Sequence, residues 1–185
     1  MRHWAIIACT GIWITGAAVV FATDPPAIWI DVPYVSQTKE GCGSAAISMV
    51  MQYWAKQAGQ PASPQMDAAK IQDLLYSPPQ KGIPASAMEK YLQGQGYRTF
   101  AFRGEWSDLQ HHLQQGRPLI VSLKASGARG PLHYSVVVGL EAEREFVFLN
   151  DPAGGKMLRM SREGFQSEWD SAKNWTLLAV PSGKD

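Results

Sequence analysis

Apolar residues first settle into helical spacing after Cys42. Ile47, Val50, Met51 and Trp54 share one face and predict a helix from Cys42 toward Gly59. Upstream, Val32 to Val35 reads as a short strand that runs into a polar turn over 36–41. Downstream, the loop 60–64 leads to a second predicted helix over 66–76, with Ala69, Leu74 and Leu75 turned inward. The Pro-rich run 77–82 stops it. A third helix over 85–93 closes at Gly94 and Gly96. Residues 98–103 alternate as a strand does, and Ser107 is placed to cap a helix through Gln115.

The second half turns to strands at 118–124, 132–140, 145–150, 156–160 and 174–180. One further helix, over 162–169, is capped by Ser161. Helices first and a mostly antiparallel sheet afterwards is the α+β pattern. The 185 residues suffice for one domain with a full core, taken here as 31–181 with a short tail at 182–185. No internal repeat or low-complexity segment interrupts it.

The first 22 residues stand apart. A short basic start precedes an uncharged apolar run over 4–22 that ends in small residues, the form of a secretory signal peptide. An uncleaved membrane anchor is the alternative, because the run approaches the length of a bilayer span. Residues 23–30, with Asp24-Pro25-Pro26, read as a linker. Export to the periplasm or beyond is therefore expected, with membrane contact only if the segment is retained. Cys9 lies within it. Its removal leaves Cys42 as the one cysteine, with no internal disulfide to form. The net charge of +1, without a basic stripe, excludes a nucleic-acid partner on electrostatic grounds.

Cys42 opens the first helix. There the sulfur meets unpaired backbone N–H groups and the positive end of the helix dipole, which favour a thiolate. A cysteine nucleophile needs a base and a group that orients the base. Of the four histidines, His3 is in the apolar start, and His111 and His112 sit among glutamines on a solvated helix face. His133 opens a strand after the turn-rich stretch 126–131, where it can stand at the mouth of a cleft. If the next strand folds back through a turn near 141–144, His133 comes opposite Asp151, with Asn150 facing the other way. One cysteine and one plausible histidine do not make a zinc site.

Three stretches carry a family resemblance: Gln37 ahead of Cys42-Gly43, then His133-Tyr134-Ser135-Val136-Val137-Val138-Gly139, then Asp151-Pro152-Ala153-Gly154-Gly155. In this order they resemble the bacteriocin-processing (double-glycine leader) peptidases and their free-standing relatives, which have a papain-like cysteine peptidase fold. The resemblance covers about 31–180. It implies Cys42 as nucleophile, His133 as base and acid, and Asp151 as the orienting group. Gln37 with the Cys42 backbone N–H would form the oxyanion hole, and Gly43 and Tyr134 would contact substrate. Where better-known members have an acidic residue before the cysteine, this chain has Gly41. It also carries no phosphate-binding Gly-rich Lys motif, so ATP and transport do not carry over, and no cofactor or metal is implied.

The expected activity is hydrolysis of a peptide or protein through an acyl-enzyme, after small residues by analogy with double-glycine leaders. Two alternatives stay open. The same acyl-enzyme passed to another nucleophile gives an acyltransferase or amidase, and a chain without catalysis gives a peptide-binding envelope module.

Overall fold

The computed structural model describes residues 27–124 and 132–183. The apolar start and the stretch 126–131 lie outside them. Among the described residues no helix is long and apolar enough to cross a membrane. The helices are α1 (Cys42–Gln57), α2 (Ala68–Leu75), α3 (Ala85–Gly94), α4 (Trp106–Gln114) and α5 (Arg162–Ser171). The strands are β1 (Ile28–Trp29), β2 (Tyr97–Arg103), β3 (Leu119–Leu123), β4 (His133–Glu141), β5 (Phe146–Asp151), β6 (Gly155–Ser161) and β7 (Trp175–Pro181). They form one sheet in the order β2-β7-β3-β4-β5-β6, and β1 joins β4 beyond the end of β3. Every pairing is antiparallel.

Strand alternation sends side chains to both faces, and each face builds a core. On one side Ile120, Tyr134, Val136, Leu177 and Ala179 meet Ile47, Val50 and Met51 of α1, Ile71 of α2, and Met88 and Leu92 of α3. On the other, Leu119, Val121, Val137, Val147 and Leu149 meet Leu109 and Leu113 of α4 and Phe165 and Trp169 of α5. The papain-like α+β architecture expected from the sequence is thus present, with a second helical layer added. Helix α1 is the central element. Gly43 through Met51 are all buried, and the small residues among them let the helix lie close to β4 and α2.

Several local expectations change. Residues 32–35 are not a strand: they are held by the Asn150 amide, which donates to the Val32 carbonyl at 3.0 Å, and by Tyr34, whose hydroxyl donates to the Asp151 carbonyl at 3.3 Å. Within the supposed linker, Ile28 and Trp29 pair with Leu140 and Gly139 as β1. In α2 Ile71 is buried and Leu75 packs against the same core as expected, while Ala69 and Leu74 are exposed, Leu74 by 69%. Helix α4 is capped by Glu105, in a reciprocal box with Asp108, and not by Ser107.

The β4–β5 hairpin also differs in register. Val136 pairs with Asn150, and a bulge at Val138 lets Val137 and Leu140 face the same core. One step beyond the last pair, Ser135 comes opposite Asp151, so His133 is a diagonal neighbour of Asp151. The error is two residues, which keeps His133 and Asp151 on the same side of the pleat.

Candidate active site

The site forms where α1 begins and where β4 starts and β5 ends. Gly41 precedes α1 without a side-chain cap, and no acidic residue occupies the first turn. Ser44 turns its hydroxyl back to the Gly41 carbonyl at 2.9 Å. The positive end of α1 therefore has no anion of its own, and Cys42, a half-buried free thiol, is its first residue.

The imidazole of His133 faces the Asp151 carboxylate through Nε2, at 3.0 Å from Oδ1 and 2.9 Å from Oδ2. Nδ1 is the nitrogen left for the sulfur, and Cys42 lies near enough to raise the pKa of the ring. Burial disfavours a charged imidazole. Hydrogen bonding of the charged ring to Asp151 and Cys42, and the attraction of both groups, outweigh it and raise the His133 pKa to about 10. Burial likewise opposes ionisation of Asp151. Its bond to His133 and the backbone N–H groups of Gly154 and Ala153 prevail and hold it at about 2. Those N–H groups donate to Oδ1 at 2.7 and 2.8 Å, and the Ser135 hydroxyl donates to Oδ2 at 3.1 Å. Asp151 thus both closes the Asp-Pro-Ala-Gly turn and holds the histidine.

Gln37 lies in the loop before α1. Its backbone N–H donates to the Pro152 carbonyl at 3.0 Å, which ties the loop to the residue after Asp151. Its side chain is half-buried, and Oε1 is buried without a hydrogen-bond partner. The same loop is fixed from α2: the Tyr76 hydroxyl donates to the Glu40 carboxylate, and the Gln72 amide donates to the Glu40 carbonyl at 3.3 Å. Glu40 has a φ of +58°, and a Cβ on Gly41 would lie 3.0 Å from the Thr38 hydroxyl oxygen. A side chain at position 41 would therefore need Thr38 to give way by a few tenths of an ångström.

Gly43 does not line the cleft. It is buried in the first turn of α1, and a Cβ there would come 3.0 Å from the Cβ of Ile83, so its role is to admit that side chain. Tyr134 does line it. It shares with Cys42, Gln80, Lys81, Ile83 and Leu132 a cavity of about 120 Å³. Burial first, and the negative charge of a Cys42 thiolate next, push the Tyr134 hydroxyl up to about 12. His111 is exposed beside Gln115 as expected, but His112 packs on Phe102 with its Nδ1 buried and unpartnered. Both are on α4, away from the strand ends that hold the site.

Ser135 is the residue sequence reading missed. It stood in view within the His-Tyr-Ser run, but its role depends on a register no alternation pattern fixes. Among the described residues, no three His, Cys, Asp or Glu side chains gather as a metal site would require.

Comparison with known proteins agrees with this geometry. No curated protein matches the chain. The peptidase domain of Streptococcus ComA, a bi-functional ABC transporter involved in a quorum-sensing pathway, is 26% identical with a TM-score of 0.61, over 82% of this chain and 99% of that one. A double glycine motif protease from an AMS/PCAT transporter, solved with its leader peptide, is 20% identical with a TM-score of 0.61, over 83% and 94%. The peptidase domain of Streptococcus mutans ComA is 19% identical with a TM-score of 0.51, over 80% and 98%. The last two are likenesses of fold. The model of the Peptidase_C39 like family matches residues 29–176, most of the chain. Papain-like in fold, with a thiol, an imidazole and a carboxylate in sequence order at one end of its sheet, the chain belongs to the Peptidase_C39 like family.

Proposed function

We propose that the chain is an active cysteine peptidase that cuts a peptide or protein through a Cys42–His133–Asp151 triad. The observation that carries this reading is the His133 imidazole engaged through Nε2 by the Asp151 carboxylate, with Nδ1 left free and Cys42 near enough to raise the pKa of the ring. The Cys42 proton passes to His133 Nδ1, and the sulfur attacks the substrate carbonyl carbon. The oxyanion accepts hydrogen bonds from the Cys42 backbone N–H and from the Gln37 side-chain amide. His133 returns its proton to the leaving nitrogen as the C–N bond breaks, which leaves a thioester. Water, deprotonated by His133, then displaces the sulfur and releases a carboxylic acid. Asp151 keeps the imidazole oriented and stabilises its charged form.

The cavity of about 120 Å³ beside Cys42 supports a small residue next to the scissile bond, since it leaves little room for a large side chain. The apolar start at 4–22 supports action after export.

The test is alkylation of the full chain by an iodoacetamide probe near neutral pH. Cys42 is expected to label fast and at least about tenfold more slowly in His133→Ala, and Cys42→Ala should leave only the labelling of Cys9. Peptide hydrolysis should be lost in both variants, and should fall about a hundred- to a thousand-fold in Gln37→Ala. Slow labelling indifferent to His133 would remove the reading and leave a peptide-binding module. Turnover that rises with an added amine or thiol would convert it to acyl transfer.

A further inference from the structure

The turn into α1 is strained and held from outside. Glu40, a non-glycine residue just before Gly41 and Cys42, has a φ of +58°. That left-handed conformation costs energy and persists only where the surroundings impose it. Within the turn, the Gly41 N–H donates to the Thr38 carbonyl at 3.0 Å. A further hold comes from the end of α2. The Gln72 amide donates to the Glu40 carbonyl at 3.3 Å, and the hydroxyl of Tyr76, which caps α2, donates to the Glu40 carboxylate. One half-buried residue is thus gripped by main chain and side chain at once.

Tyr76 also starts the wall of the cavity at Cys42. Ser77 and Gly82 close a loop directly after it, with the Ser77 N–H donating to the Gly82 carbonyl at 2.9 Å. Gln80, Lys81, Gly82 and Ile83 then line that cavity, and Ile83 fills the space that Gly43 leaves open. The Tyr76–Glu40 bond is therefore a brace between this wall and the turn that delivers Gln37 and Cys42. Neither Tyr76 nor Glu40 lines the cavity itself. Gln37 is held at its backbone by the Pro152 carbonyl, so Glu40 secures the opposite end of the turn.

We propose that Tyr76 and Glu40 are positioning residues for the oxyanion hole, and that their bond keeps the Gln37 amide and the Cys42 backbone N–H converging on one point. The inference rests on the peptidase reading and assigns to two side chains outside the cavity a share in its rate. Donors stabilise a developing oxyanion only when they are aimed at it before the charge forms. A hydroxyl-to-carboxylate bond suits the purpose, because a carboxylate accepts more strongly than a neutral oxygen. Alkylation of the thiol, by contrast, is indifferent to the hole. When iodoacetamide reacts, the sulfur displaces iodide from a tetrahedral carbon. A C–S bond forms as the C–I bond breaks, and no oxyanion arises.

The full chain carrying Tyr76→Phe keeps the ring and loses the hydroxyl. Its kcat for peptide hydrolysis is expected to fall about tenfold with KM unchanged, while Cys42 alkylates at the unmodified rate. Glu40→Ala should fall as far. Glu40→Gln, whose amide oxygen still accepts from Tyr76, should stay within about threefold of the unmodified chain. Adding Tyr76→Phe to Gln37→Ala should cost less than about threefold, because the donor that the brace aims has gone. Three results overturn the positioning role and leave the peptidase reading intact: an unchanged kcat in Tyr76→Phe, a further loss of full size on the Gln37→Ala background, or alkylation that slows in step with hydrolysis. No hydrolysis by the unmodified chain overturns the peptidase reading and the positioning role with it.

Discussion

At the scale of single residues, Asp151 does two jobs with one carboxylate. It accepts from Ala153 and Gly154 as any turn aspartate does, and it also faces His133. Ser135 supplies the remaining donor, fully buried, at 3.1 Å. In Ser135→Ala, Asp151 keeps its backbone donors and the histidine, so turnover should fall only about five- to tenfold. The fall is expected in kcat with KM unchanged, and the limb of the pH profile set by the imidazole should move. An unaltered kcat would mean that Ser135 only fills space. Cys42 and His133 could be singled out in the sequence because a cysteine at a helix start and a histidine at a strand start are chemically rare. Ser135 and Gly43 could not. The first acts through a register and the second through Ile83, a contact forty residues away that no local pattern contains.

At the scale of elements, most helices and strands follow from periodicity, and the failures have physical causes. The hairpin register was missed because a bulge at Val138 adds a residue that alternation does not reveal. Helix α2 has only Ile71 fully buried and Leu75 packed beside it, so its short amphipathic segment did not reveal that Ala69 and Leu74 face out. β1 is two residues long, too short to alternate, and its signal lies on its partner. Gly139 faces the Trp29 ring, where an added Cβ would stand 2.4 Å from a ring carbon. Gly139→Ala must therefore displace Trp29 from its place beside Phe148, where the ring centroids are 4.1 Å apart. The expected cost is about 1–3 kcal/mol in denaturant unfolding, and Trp29→Ala in the same chain should remove most of the effect of the glycine substitution. A full additional loss in the double variant would show that the clash lies elsewhere.

At the scale of the whole molecule, one sheet carries two cores, and only the α1 side was evident in the sequence as a helical layer. The second layer is set by Phe165 and Trp169 of α5, both fully buried, whose partners are strands far away in the chain. The triad also leaves a mark on the stability of the entire domain. His133, raised from 6.5 to about 10, contributes stability that is complete below pH 6.5 and is lost as pH climbs toward 10. Asp151, lowered from 3.8 to about 2, contributes stability that is complete above pH 3.8 and is lost as pH falls toward 2. Thermal unfolding across pH should show the midpoint of the wild type falling on the alkaline side more steeply than that of His133→Ala. Parallel alkaline limbs would mean that the imidazole charge is not held by the fold.

The bond from the Gln37 backbone to the Pro152 carbonyl joins the loop ahead of Cys42 to the corner that positions the carboxylate facing His133. The two halves of the proposed reaction centre consequently share a single fulcrum. Lengthening or shortening that corner would misalign the proposed proton relay and anion cradle in one stroke, so neither could be retuned by insertions there while its counterpart stayed intact.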